Sequence, residues 1–202
     1  YRCVVLRSEL TTFLPVNDGT SLPDNVRRLD ALLLGFSLPV VVVLEADADA
    51  LGWYTGLLGD VCVCNEQGHY HWEALAADPL LMAHMLPLAS ARCGAENAKT
   101  LLLTRRSASG SELREQYGIR HVVAAPEAYR HALRLAENLS RLSSAQLIAW
   151  KTARGTALSA GREALLLAQA AESPAGAPRA LPTSAALTTV MHPHGILEIC
   201  MT

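Results

Sequence analysis

Leu38-Pro39-Val40-Val41-Val42-Val43-Leu44 decides the fold class. Four valines and a leucine in succession, with no polar alternation, do not suit a strand that has one wet face. They suit the interior of a parallel sheet covered by helices on both sides. Upstream, Val26, Leu29, Leu33 and Phe36 recur at helical spacing after Pro23-Asp24-Asn25. Asp24 or Asn25 can accept the free N–H groups of the first turn, so a helix is expected over residues 24–36. Residues 3–6 read as a strand before it. Downstream, residues 47–58 read as a short helix, and residues 60–64 with 69–72 as a strand or hairpin around a polar turn.

The second half continues the alternation. Leu81, Met85 and Leu88 predict a helix over residues 78–93, and residues 99–104 read as a buried strand. A helix over 109–117 is stopped by Gly118, and a strand follows at 121–125. From Pro126 a longer helix carries Tyr129, Leu133, Ala136 and Leu139 as its apolar stripe. Residues 144–171 read as helical with a break near Gly155. Residues 186–191 and 196–201 flank the turn residues His192-Pro193-His194-Gly195 as a terminal hairpin. The expected architecture is α/β: a three-layer, doubly wound, mostly parallel sheet with helices on both faces, a C-terminal helical segment and that hairpin. The domain reading is a Rossmann-like unit over 1–171, a Pro/Gly-containing linker or loop over 172–183, and a strand or hairpin over 184–202 packed on the same unit. No repeat of 20–50 residues is evident.

Composition narrows the function. A chain of 202 residues, 50% hydrophobic and 18% charged, buries a substantial core without staples. The formal net charge of -2 and the scattered Lys/Arg residues give no field for nucleic acid, so the expected partner is another protein. No apolar run approaches the roughly 20 residues needed to span a bilayer. Five cysteines without framework spacing fit a reducing compartment and a cytoplasmic location. The Gly-x-Gly-x-x-Gly, Gly-x-x-x-x-Gly-Lys and Gly-x-Ser-x-Gly signatures are missing from the sequence.

Asp18-Gly19-Thr20-Ser21-Leu22-Pro23-Asp24, followed by residues 40–44 and later by Cys64-Asn65-Glu66-Gln67-Gly68, resembles the opening of a haloacid-dehalogenase-like phosphatase over residues 12–72. In that family a first aspartate attacks phosphorus and a second serves as general acid and base. A Ser or Thr ends the second strand, and a later lysine and acidic pair hold phosphate and magnesium. This chain has Asp18 at the second position, Val16 at the first and Leu44-Glu45 where the Ser or Thr stands. Valine neither attacks phosphorus nor ligates magnesium, so the resemblance implies a scaffold whose active site has degenerated. A receiver-like domain shares the alternating topology. The expected function is therefore a non-catalytic regulatory or assembly domain without a cofactor. The enzymatic alternative is a divergent magnesium-dependent phosphohydrolase using Asp18, Glu45 and Asp47.

Two further constellations carry chemistry. If residues 65–68 form a four-residue turn, Cys64 lies opposite His69 and Cys62 opposite His71, a tetrahedral set for zinc. The bland alternative keeps both cysteines in the core and both histidines in water. Arg105 and Arg106, with Ser107, Ser109 and Ser111 opening a helix, could hold a small anionic ligand, and ordinary capping by Ser109 or Ser111 explains the serines as well.

Overall fold

The structure, a computed structural model, describes residues 1–13, 22–104, 107–156, 158 and 187–201. Its first third is built from units of two strands and a helix. The first comprises β1 (Cys3–Ser8), β2 (Thr12–Phe13) and α1 (Leu22–Gly35); the second β3 (Val40–Leu44), β4 (Asp47–Ala48) and α2 (Ala50–Leu58); the third β5 (Val61–Asn65), β6 (His69–His71) and α3 (Glu73–Ala76). The first strand of each unit enters one parallel sheet and the second enters another. Helices α4 (Pro79–Cys93) and α5 (Ala95–Thr104) follow, then β7 (Ser107–Ser109), α6 (Gly110–Tyr117), β8 (Val122–Val123) and α7 (Ala125–Ser140). A helix over residues 144–156, α8, precedes β9 (Leu187–His192) and β10 (Ile196–Met201).

The larger sheet has the order β8-β5-β3-β1-β10-β9, parallel except for the antiparallel β9–β10 pair. The smaller has the order β2-β4-β6-β7. The α/β class, the dominance of parallel pairing, the helices on both faces and the terminal hairpin are as the sequence led us to expect. The second sheet is an addition. Its strands are two or three residues long, too short to show a period of two, and the units that build it repeat in space without repeating in sequence.

All five residues of β3 are buried, as an interior strand requires. Val41 and Val43 join Cys3, Val5 and Val63 beneath α7, where Ala128, Ala132 and Ala136 form the contact line. Alanine at every fourth position lets that helix approach the sheet closely. Tyr129, expected on that line, is instead half-buried against Arg7 of β1 and Glu198 of β10. On the opposite face Val40, Val42 and Leu44 pack with Cys62 and Cys64 into a core shared with α1, α2 and α4.

Residues 99–104 are helical, which corrects the strand expected there. In α5, Ala98, Leu101 and Leu102 are buried at spacings of three and four while Leu103 is 72% exposed. Periodicity alone does not separate so short an apolar run from a strand. Residues 47–48 likewise form β4 before α2 begins. Gly118 ends α6 in the left-handed region at φ 69°, the conformation for which glycine is favoured.

The hairpin is fastened to the sheet by a charged cluster. Glu198 of β10 is buried and accepts from Tyr129 Oη and, at 2.7 Å, from His192 Nε2. Arg7 Nη1 lies 3.4 Å from Glu198 Oε1, Arg7 Nη2 donates to Glu45 at 2.9 Å, and the guanidinium rests 4.4 Å over the Tyr129 ring. Burial by itself would raise the Glu198 carboxyl, but these donors and the Arg7 charge outweigh it and hold it below the ordinary carboxylate range. A carboxyl depressed on folding stabilises the fold above its unfolded value and ceases to do so as pH falls through its folded value. As pH falls through and below the ordinary carboxylate range, amide protection in β9 and β10 is therefore expected to be lost ahead of that in β3 and β5, and in Glu198→Gln it should already be reduced at neutral pH. Simultaneous loosening of all four strands would contradict this.

Candidate functional site

Nine residues, Ala50 to Leu58, make α2, and every one of them is buried. A helix that is apolar all round belongs in an interior, and this one lies between the two sheets, touching β2, β4 and β6 on one side and β3 and β5 on the other. Asp49 caps it, with Oδ1 accepting from the Gly52 N–H at 3.4 Å and the Asp49 carbonyl from the Trp53 N–H at 2.8 Å. The N–H groups of Ala50 and Leu51 precede any intrahelical acceptor and have no partner among the described residues. Gly52 lets this turn press on β2, since a Cβ there would stand 2.2 Å from the Phe13 carbonyl oxygen.

One turn further along, on the same face as Leu51, the Tyr54 hydroxyl donates to Asp30 Oδ1 of α1 at 2.6 Å. The other carboxylate oxygen of Asp30 lies 2.7 Å from His84 Nε2 of α4, and the His84 and Tyr54 rings are 5.9 Å apart. The three residues are 3%, 1% and 2% exposed, respectively Asp30, Tyr54 and His84. The Asp30–His84 approach has an ion-pair distance without hydrogen-bond geometry, and His84 Nδ1 has no partner among the described residues. A phenol, a carboxylate and an imidazole enclosed together cost desolvation energy that aliphatic packing would not, which makes the cluster a candidate for chemistry. Two orphan N–H groups at a helix start and a relay of proton-bearing side chains can together stabilise a developing oxyanion and move a proton beside it.

Sequence reading passed over all three residues, although a signal was present. Asp30 stands four residues after Val26 on the buried face of α1, and His84 sits between Leu81 and Leu88 on that of α4. An ionisable residue at a core position of an amphipathic helix is the mark of such a site.

The residues singled out from sequence fall elsewhere. Asp18, Arg105 and Arg106 lie outside the described residues. Glu45 pairs with Arg7, and Asp47 Oδ1 accepts from the His69 N–H at 2.8 Å. The Ser109 hydroxyl accepts from the Glu112 N–H, and Glu112 accepts from the Ser109 N–H, so that helix start is occupied by its own capping box. Ser107 and Ser111 lie either side of it, and the Ser111 hydroxyl stands 3.1 Å from that of Ser109. Cys62 and Cys64 are buried on β5. His69 and His71 are exposed on β6, which pairs with β4 and β7 instead of folding back on β5, so the four do not converge.

No family model and no curated protein matches the sequence. Solved structures do. The ECH2 decarboxylase domain of CurF from Lyngbya majuscula superposes with a TM-score of 0.66 at 20% identity, covering 83% of this chain and 72% of that one. An enoyl-CoA hydratase/isomerase from Pseudoalteromonas atlantica gives 0.66 at 18% identity, over 84% and 71%. ThnE from S. clavuligerus gives 0.64 at 18% identity, over 84% and 81%. The fold is that of the enoyl-CoA hydratases. This overturns the dehalogenase-like and receiver-like resemblances. It equally corrects the expectation of a non-catalytic regulatory or assembly domain and of a phosphohydrolase, because the neighbours with this architecture are described as hydratases, isomerases and decarboxylases. Among the described residues no helix is long and apolar enough to cross a membrane.

Proposed function

We propose that this chain is an enzyme acting on an acyl thioester, generating or quenching charge at the carbon next to the thioester carbonyl. Hydration of an enoyl thioester, migration of its double bond and loss of a carboxylate from the α carbon of an acyl thioester all pass through an enolate whose oxygen carries negative charge. The first turn of α2 would hold that oxygen with the Ala50 and Leu51 N–H groups. Tyr54 would transfer the proton, with Asp30 accepting from its hydroxyl and His84 balancing the carboxylate. The observation that carries this reading is the enclosed Asp30–Tyr54–His84 cluster one turn from the capped start of α2, in a fold shared with thioester enzymes. Enclosure favours it, because the same dipoles act more strongly where water is excluded.

The test is turnover of a panel of enoyl-CoA and α-carboxyacyl-CoA thioesters. Tyr54→Phe, which removes one oxygen and preserves the ring, is expected to lower kcat by about 10²–10⁴-fold with little change in KM. Turnover unaffected by Tyr54→Phe and by Asp30→Asn would overturn the assignment.

A further inference from the structure

Trp53, Gly56 and Leu57 leave α2 on a different side from Leu51 and Tyr54. There they border a cavity of about 340 Å³, closed by the end of α4 and the loop between α6 and β8, in which the proposed reaction has no part. Trp53, Leu57 and Ile119 give it apolar walls, while Arg92, Arg120 and His121 give it charge of one sign. The Arg92 guanidinium donates to the carbonyls of Asp60, Gly56 and Leu57 at 3.0–3.2 Å and to that of Gly59, contacts that hold it in place without neutralising it. Neither arginine has an ion-pair partner among the described residues, and the Asp60 carboxylate is taken by Lys151 and Arg154. Burial holds the His121 imidazole below its ordinary range, and the charges of His131, Arg92 and Arg120 all act in the same direction. Two buried donors of lining residues, Trp53 Nε1 and Arg92 Nε, have no acceptor among the described residues. Buried donors are ordinarily paired, and low-dielectric walls of one sign concentrate a solute of the other.

We propose that this cavity binds a small organic oxyanion, an apolar body ending in a carboxylate or a phosphate group. Arg120 is exposed and makes no ion pair among the described residues, so its planar fork of N–H groups is open to the paired oxygens of either head group. Arg92 adds a second positive charge, fixed in advance by the carbonyls at the end of α2. The head group brings acceptor oxygens to a wall whose buried donors lack them, and the body packs on Trp53, Leu57 and Ile119. A volume near the lower end of the roughly 300–1,000 Å³ of ligand pockets limits the occupant to a small molecule. Cys62 and Cys64, hydrogen-bonded to each other at 3.7 Å, complete the floor as soft packing surface. The cavity is separate from the Asp30–Tyr54–His84 cluster, and its occupancy does not depend on the reaction proposed there.

Isothermal titration of the unaltered protein with phenylacetate and with phenyl phosphate is expected to show one site for at least one of them, with a Kd below about 1 mM, the tighter of the two naming the head group. Phenylacetamide, which keeps the body without the charge, should bind at least 10-fold more weakly, and so should inorganic phosphate, which keeps a charge without the body. Arg120→Gln alters an exposed side chain and should weaken binding at least 10-fold, whereas Arg120→Lys should retain most of it. Ala91→Phe, which narrows the cavity from an exposed position on α4, should weaken it as well. Tyr54→Phe should leave it unchanged. No binding of either anion, equal affinity for the amide or for inorganic phosphate, or affinity unchanged in both Arg120→Gln and Ala91→Phe would overturn the proposal. Loss of binding in Tyr54→Phe would do so too, by placing the anion at the catalytic cluster instead.

Discussion

Asp60→Ala is expected to destabilise the protein by about 3–5 kcal/mol, the cost of stranding buried charge. The Asp60 side chain is fully buried, and its Oδ2 accepts from the Val40 N–H at 2.8 Å and from Lys151 Nζ. Its Oδ1 meets Arg154 Nη1 at 3.1 Å. One carboxylate thus joins the start of β3, the turn after α2, and α8. Burial pushes both cations down, Arg154 to about 10, with the Asp60 charge opposing it. Without Asp60, two desolvated cations face each other and the β3 amide loses its acceptor. At about 2–4 °C per kcal/mol for a chain of this size, Tm should fall by roughly 6–20 °C. Asp60→Asn, which keeps an acceptor but no charge, should lie between. A fall equivalent to less than about 1 kcal/mol would mean that solvent screens the cluster as it does a surface pair.

Trp53→Ala should cost a similar amount, about 3–5 kcal/mol. Trp53 is buried in α2 with ring centroids 5.4 Å from Tyr70 and 5.7 Å from Trp72, so it joins the helix to the second sheet. Removing it opens a large cavity between layers too rigid to close it. Trp53→Phe should cost distinctly less, because the indole Nε1 has no partner among the described residues and its loss strands nothing. Chemical denaturation of the two variants checks this ordering, and equal losses would show that volume is not what Trp53 supplies.

Much of the larger sheet was legible in the sequence because its strands are long or uniformly apolar. Val40 to Leu44 has no hydrophilic position to mislead, and Gly118 marks the end of α6 through a conformation that other residues resist. The smaller sheet was not legible. Thr12-Phe13 and Asp47-Ala48 are two-residue strands whose pairing is decided by where α1 and α2 send the chain, and local sequence does not encode that. The candidate site was obscured for a related reason. Asp18, Glu45 and the serine-rich turn belong to stretches contiguous in sequence, whereas Asp30, Tyr54 and His84 come from three helices and meet only when α1, α2 and α4 pack. The motif at residues 16–22 misled because Asn-Asp-Gly is common in turns of unrelated folds.

Exchange of the hydrogens next to a thioester carbonyl tests the central claim most directly, because it needs no knowledge of the natural substrate. Saturated acyl-CoA esters, butyryl-CoA first, are incubated with the protein in D2O and their mass is followed. An enolate-stabilising site at α2 with Tyr54 as the proton carrier should incorporate deuterium at the α carbon. Tyr54→Phe should slow incorporation at least 100-fold while remaining folded at the assay temperature. Exchange at the uncatalysed rate across the series, or equal exchange by Tyr54→Phe, would contradict the account.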